Sequence, residues 1–210
     1  QIALGTETKP EDLRRPGQSL VSTQRKEKDT VEILSGIFRG YTTGAPISMI
    51  IWNKDHDSKS YAKLRTSMRP GHSDYPAYVK YKKFNDYRGG GRFSGRLTAT
   101  HVLGGAIARK LLKVTLGIST NSYTCQIGKI KMKNQATSKM LKTIYSNDVR
   151  CPDKNIASKM KKTILDARKK GDSLGGIIES ITNDVPVGLG EPIFSSLESE
   201  LSKAIYSIPA

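Results

Sequence analysis

Residues 69 to 96 are arranged for an anion, and a hydrophobic core has no use for such a stretch. It opens Arg69-Pro70-Gly71-His72-Ser73-Asp74-Tyr75 and closes Asn85-Asp86-Tyr87-Arg88-Gly89-Gly90-Gly91-Arg92-Phe93-Ser94-Gly95-Arg96, joined by a short aromatic run of Tyr75, Tyr78, Tyr81 and Phe84. Four arginines, one histidine and three consecutive glycines fall within 28 residues. Arginine forks grip phosphate or carboxylate at two points, and glycines let backbone N–H groups come close to a charged ligand. From Leu97 to Leu112 the chain turns apolar and small, which predicts a helix. Its N-terminal end would point at the same place, and a helix N-terminus favours negative charge.

The chain has 210 residues, 36% of them hydrophobic and 19 of them glycine, enough for a folded α/β or α+β protein rich in tight turns. No apolar run approaches the roughly 20 residues of a membrane helix, and no secretory leader pattern opens the chain. Cys125 and Cys151 have no metal-ligand spacing and read as buried or idle thiols of a reduced, cytoplasmic protein. The net charge of +16 fits either a nucleic-acid partner or a basic active site with a lysine-rich surface. The arginines gather at 14–25 and 65–96 and the lysines at 129–170. Lysines along helices are usually a solvated face, whereas arginines beside glycines and a histidine are more often a site.

Taken in order, the chain starts with Gln and so reads as a piece or a processed product. Pro10 to Leu13 suits a first helical turn. The polar, basic run from Leu13 to Lys26 reads equally as a solvated loop or an anion-binding one. Val31 to Leu34 predicts a strand, Gly36 to Gly44 a hairpin, and Ile47 to Trp52 a strand buried on both faces. His56, between two aspartates in a polar loop, reads as a surface histidine; no metal site is expected. Ala99, Val102, Leu103, Ala106, Ile107 and Leu111 repeat at helical steps. Gly104, Gly105 and Ala108 suggest close packing on that helix's other sides, and His101 lies off the stripe and receives no role. Tyr123 to Gly128 predicts a strand. Cys151-Pro152-Asp153 marks the turn into a helix with Ile156, Met160 and Ile164 on one face. Gly171-Asp172-Ser173 ends it, Gly175 to Ile181 is extended, and Val185 to Pro192 is an irregular turn. Ile193, Leu197, Leu201 and Ile205 predict a last helix. With no repeat or linker, residues 1–210 read as a single domain.

The set of motifs resembles the chorismate synthases, in an archaeal-like version. The matching pieces are Arg14-Arg15-Pro16-Gly17-Gln18-Ser19, Leu34-Ser35-Gly36, Thr42-Thr43-Gly44, Arg69-Pro70-Gly71-His72, Asp86-Tyr87-Arg88-Gly89-Gly90-Gly91-Arg92, Gly171-Asp172-Ser173-Leu174-Gly175-Gly176 and Gly188-Leu189-Gly190-Glu191-Pro192. They occur in the family's order from about residue 13 onward, and residues 1–11 match no motif. Phe93 stands where the family usually has serine, Gly95 and Ser73 where it has alanine, and Leu97 where it has glutamate. The family's Gly-Glu-Ser-His-Gly segment and its later flavin-contacting and catalytic-aspartate segments do not occur here, so the piece is expected to hold part of an active site and to turn over little by itself.

The resemblance implies an α+β fold with helices sandwiched between antiparallel β-sheets, assembled as a homotetramer. It implies an FMN-dependent lyase: the anti 1,4-elimination of phosphate and a proton from 5-enolpyruvylshikimate 3-phosphate to give chorismate, the last common step of aromatic amino-acid biosynthesis. There is no net redox change, yet reduced FMN is required, and some members draw on NADPH. The resemblance further implies Arg14, Arg69 and Arg96 as substrate clamps, with Arg14 also serving NADPH. It implies Arg92, Phe93, Ser94, Pro209 and Ala210 as FMN contacts, and His72 as the catalytic group that donates a proton to the reduced flavin. From the residues alone His72 reads first as a loop histidine held by Asp74; the resemblance puts acid–base work ahead, since imidazole titrates near neutrality. Several arginine forks suit a substrate with a phosphate and two carboxylates. Two rival readings are a basic RNA-binding module, with Arg88 to Arg96 and the nearby tyrosines as its surface, and a truncated, inactive remnant of the lyase. Neither a specific nucleic acid nor a membrane is an expected partner.

Overall fold

The computed structural model describes residues 19–21, 30–53, 57 and 59–208. Most of the basic run at 13–26, with Arg14, and also His56, Pro209 and Ala210, lie outside the described residues. The chain divides into two compact units. One comprises Gln1–Arg14, Asp29–Ala108 and Pro186–Ala210, the other Arg15–Lys28 and Arg109–Val185. Each combines helices with antiparallel strands, the α+β class expected.

In the first unit β1 (Val31–Ser35) pairs antiparallel with β4 (Ser48–Ile51), in register from Val31 opposite Ile51 to Ile33 opposite Met49 and then shifted to Ser35 opposite Ser48. Between them β2 (Ile37–Phe38) and β3 (Tyr41–Thr42) form a small hairpin. Its two turn residues, Arg39 and Gly40, both have positive φ, the turn whose twist matches that of paired strands. Gly36 is required where the hairpin leaves β1. Its φ is +83°, and a Cβ there would stand 2.7 Å from the Ile47 Cα. The apolar run at 47–52 is not buried on both faces as its composition predicts. Met49, Ile50 and Ile51 are half-buried, and Trp52, just past the end of β4, is 54% exposed. A 3-10 helix at Lys59–Arg65, the short α1 (Asp74–Lys80), a kinked turn at Arg88–Phe93 whose three glycines are non-helical, a 3-10 turn at Gly95–Leu97, and the start of α2 (Thr98–Leu116) follow. Ala99, Leu103 and Ala106 of α2 are buried, as their stripe predicts. Gly104, Gly105 and Ala108 are exposed, so that side is not closely packed.

The last helix of this unit, α5 (Leu197–Tyr206), begins later than its apolar spacing suggests. The Ser196 hydroxyl accepts the Ser199 N–H and sets the start, leaving Ile193 in the irregular segment with φ +71°. None of its residues is buried.

The second unit holds the main core. β5 (Ser119–Ile127) lies between β6 (Ile130–Lys131) and β7 (Gly176–Asn183), all antiparallel, with a bulge between Thr124 and Gln126. Ser122 and Ser180, then Thr120 and Thr182, pair through their hydroxyls across the β5–β7 ladder. Between β6 and the long helix come α3 (Ser138–Leu141) and a 3-10 turn at Ile144–Ser146. α4 (Lys154–Lys169) starts where the Asp153 carboxylate accepts the N–H groups of Asn155 and Ile156, and lays Ala157 and Met160 into the core. Tyr123, Ile144, Cys151 and Met160 are the largest fully buried side chains. The Tyr123 hydroxyl accepts the Ala136 N–H at 3.0 Å, so the phenol is satisfied within the core. Cys125 and Cys151 are free and buried, and burial pushes the Cys151 thiol above its ordinary range.

Candidate active site

The site residues among the described ones belong to the first unit, and its organising piece is the loop from Arg69 to Asp74. Pro70 and Gly71 turn it, Gly71 at φ +71°. Its ends are closed by one carboxylate. Asp74, the first residue of α1, accepts the Arg69 main-chain N–H at 3.1 Å and Nε–H at 2.8 Å through Oδ2, and the Arg69 Nη2–H at 2.9 Å through Oδ1. This is the two-point arginine–carboxylate fork. His72 lies inside the loop with Nδ1 2.7 Å from Asp74 Oδ1. Arg69 Nη2 is 3.2 Å from both ring nitrogens, within hydrogen-bond distance of whichever one carries the accepting lone pair. The other face of the Arg69 guanidinium is met by Tyr61, whose ring centre is 5.8 Å from Cζ, within the range of a cation–π contact.

The glycine run comes against this loop. Gly89, Gly90 and Gly91 have φ of +65°, +80° and +50°, three successive residues in the region other side chains avoid. Gly90 is buried, and a Cβ on it would lie 3.3 Å from His72 Cε1 and 3.4 Å from Nε2. A Cβ on Gly91 would stand 2.8 Å from the Asp86 carbonyl oxygen. The run is thus glycine for two reasons, its backbone conformation and its closeness to the imidazole and to residue 86. Asp86 also grips Arg88 in a bidentate pair at the start of the turn, with bonds of 2.9 Å.

The electrostatics follow from these contacts. The hydrogen bonds from Arg69 hold the Asp74 carboxyl well below the usual carboxylate range, with a further contribution from the His72 charge, and Asp74 in turn raises the Arg69 guanidinium. Arg88 lowers Asp86 in the same way. Asp74 is therefore an acceptor-only anion with an 11% exposed side chain.

The structure brings His72, Arg69 and Gly90 together. Arg92, Phe93 and Ser94 follow the glycine run directly: Arg92 is exposed, Phe93 lies 6.4 Å from the Tyr81 ring, and the Ser94 hydroxyl accepts the Arg96 N–H at 3.3 Å. Arg96 is half-buried. Arg69, predicted as a substrate clamp, has Nε and Nη2 turned onto Asp74, leaving Nη1 outside that pair. Asp74 is the residue sequence reasoning undervalued. Its signal was its place two residues after His72. The Gly171–Gly176 motif lies in the other unit, at the end of α4 and the start of β7, lining an open cavity of about 710 Å³ with Thr124, Gln126 and Ile164. Among the described residues no group of histidine, cysteine and carboxylate side chains could hold a metal ion, and no helix is long and apolar enough to cross a membrane.

The α+β frame sets an imidazole between an arginine-held carboxylate and a glycine run of positive φ, with further arginines following, and these are chemical groups able to pair with an anion and to exchange a proton. The family model described as chorismate synthase matches residues 7–210, and the chain belongs to the chorismate synthase family. It is 51% identical over 95% of its length to a chorismate synthase of Dehalococcoides mccartyi, 51% identical over 95% to one of Korarchaeum cryptofilum, and 49% identical over 95% to one of Methanocaldococcus jannaschii. These alignments cover 54%, 55% and 55% of the relatives, so the chain spans about half the length of the curated relatives it matches. A crystal structure of a chorismate synthase aligns over 87% of this chain and 53% of its own, with a TM-score of 0.69 and 30% identity.

Proposed function

We propose that, within a chain of full family length, these residues serve a lyase that eliminates phosphate and a proton from 5-enolpyruvylshikimate 3-phosphate in the anti 1,4 sense, giving chorismate. The observation that carries this reading is the His72 ring seated between Asp74, 2.7 Å away, and Gly90 of the glycine run that leads into Arg92, Phe93 and Ser94. His72 is the group that moves a proton. Arg96 and Arg14 grip the substrate's phosphate and carboxylates, and Arg69 adds the Nη1 edge that its pairing with Asp74 leaves over.

Reduced FMN fits the residues present. Three glycines in succession leave the 89–91 backbone bare of side chains beside the imidazole, with Arg92 exposed next to it for an anionic group. Arg92, Phe93 and Ser94 would hold it, joined by Pro209 and Ala210. Bound there, reduced FMN supplies electron density for cleavage of the carbon–oxygen bond. NADPH would meet Arg14 as reductant. The family match running through both compact units supports one partial domain, and we read the complete protein as a cytoplasmic homotetramer without a specific nucleic-acid or membrane partner. The test is phosphate release: a chain of full family length, with reduced FMN and the substrate, forms chorismate and phosphate together, and neither product forming would end the lyase reading.

A further inference from the structure

We propose that Asp74, locked in place by Arg69, is a positioning residue that fixes the His72 ring with Nδ1 as donor and leaves Nε2 as the atom that exchanges the proton. The inference rests on the reading of His72 as the proton-handling group. On Asp74, Oδ2 takes the Arg69 main-chain N–H and Nε–H, and Oδ1 takes the Arg69 Nη2–H and faces His72 Nδ1 at 2.7 Å. Three donors from one residue hold the Asp74 plane, so it cannot rotate to follow a turning imidazole. A carboxylate paired with arginine only accepts, so at 2.7 Å the hydrogen of that contact must come from Nδ1.

Gly90 defines the other side of the ring. A side chain there would crowd Cε1 and Nε2, at 3.3 and 3.4 Å from its first carbon, so glycine keeps a side chain off that edge of the ring. The imidazole is thus held at Nδ1 by the carboxylate, while Nε2 faces the side-chain-free Gly90 backbone with Arg69 Nη2, a donor only, 3.2 Å away, the arrangement in which a second group orients an acid–base histidine and selects its tautomer. A purely structural role, closing the 69–74 loop, would need the Arg69–Asp74 fork but not the short contact to the ring.

Long-range proton–nitrogen correlation spectra of the protein labelled with 15N-histidine report which ring nitrogen is protonated, with the His72 signals identified by their loss in His72→Gln. We expect neutral His72 to carry its hydrogen on Nδ1. In Asp74→Asn the amide oxygen must serve the Arg69 donors and its NH2 must face the ring, so the hydrogen moves to Nε2, and Asp74→Glu restores Nδ1. In a chain of full family length Asp74→Asn should lower kcat roughly 10²–10⁴-fold with little change in KM. A wild-type ring protonated on Nε2, or an Asn variant that stays protonated on Nδ1, overturns the proposal. If Asp74→Asn does not fold, the wild-type and Asp74→Glu spectra decide it: Nδ1 in both supports it, Nε2 in either refutes it. Where wild-type phosphate release is absent but the tautomer responds as stated, the lyase reading fails and the positioning role stands.

Discussion

At the scale of single residues, Asp74 shows how much a local fork can do. Its carboxyl is depressed by the Arg69 hydrogen bonds, so the folded state binds its proton less readily than the unfolded chain. The sign of the consequence is set: the stabilising contribution is complete above the ordinary aspartate value of about 3.9 and is lost as pH falls below it toward the depressed folded value. Unfolding measured from about pH 6 down to about pH 2.5 should therefore show a loss of stability on the acid side that is smaller in Asp74→Asn; an identical acid limb would mean that the pair contributes nothing. Arg92 allows a second test at this scale. Standing exposed beside the bare glycine backbone, it should matter to the cofactor, and Arg92→Ala should weaken reduced-FMN binding at least roughly tenfold, the loss of a charge-assisted contact. A titration with unchanged affinity would remove it from the site. His72 and the three glycines were legible in the sequence because their types are unusual together. The engagement of Arg69 was not, since it depends on the Pro70-Gly71 turn bringing a carboxylate five residues away onto the guanidinium.

At the scale of elements, periodicity succeeded where a helix has one partner face. The Ile156, Met160, Ile164 stripe of α4 faces the core, with Met160 fully buried. Met160→Ala should cost about 2–5 kcal/mol, and Asp153→Ala, which removes the helix cap, about 1 kcal/mol, both read as lowered denaturation midpoints. A loss at Asp153 larger than at Met160 would mean that capping rather than core packing holds α4. Periodicity failed where burial depends on what lies opposite. The apolar 47–52 run and the Gly104, Gly105 side of α2 have the composition of packed surfaces, yet they are half-exposed and exposed here. Ile193 continues the four-residue spacing of α5 but is cut off from it by the Ser196 cap. Spacing records a possible face, and capping chemistry decides where the helix begins.

At the scale of the whole molecule, the α+β class was legible from the mixture of strand and helix patterns without regular alternation, and the family from the order of seven short motifs. The division into two compact units was not, because no linker composition marks it. The charge of +16 has two sources, the arginines around the site and the lysines crowding 129–170, many of which are exposed. Such a surface attracts polyanions through counterion release alone. Nucleic acid should bind weakly, without sequence preference, and lose most of its affinity between about 50 and 200 mM salt in a gel-shift titration. Tight binding to one RNA at physiological salt would instead make the site's arginines part of a nucleic-acid surface.

If, as proposed, His72 moves a proton while the arginines hold an anion, the two kinds of variant must fail differently. Steady-state phosphate release, in a chain of full family length with reduced FMN, separates the two. His72→Ala should lower kcat roughly 10²–10⁴-fold with KM nearly unchanged, while Arg96→Ala should raise KM as well, because a phosphate or carboxylate loses a charge-assisted partner. Normal turnover by His72→Ala would make His72 a packing residue of the 69–74 loop and contradict the assignment.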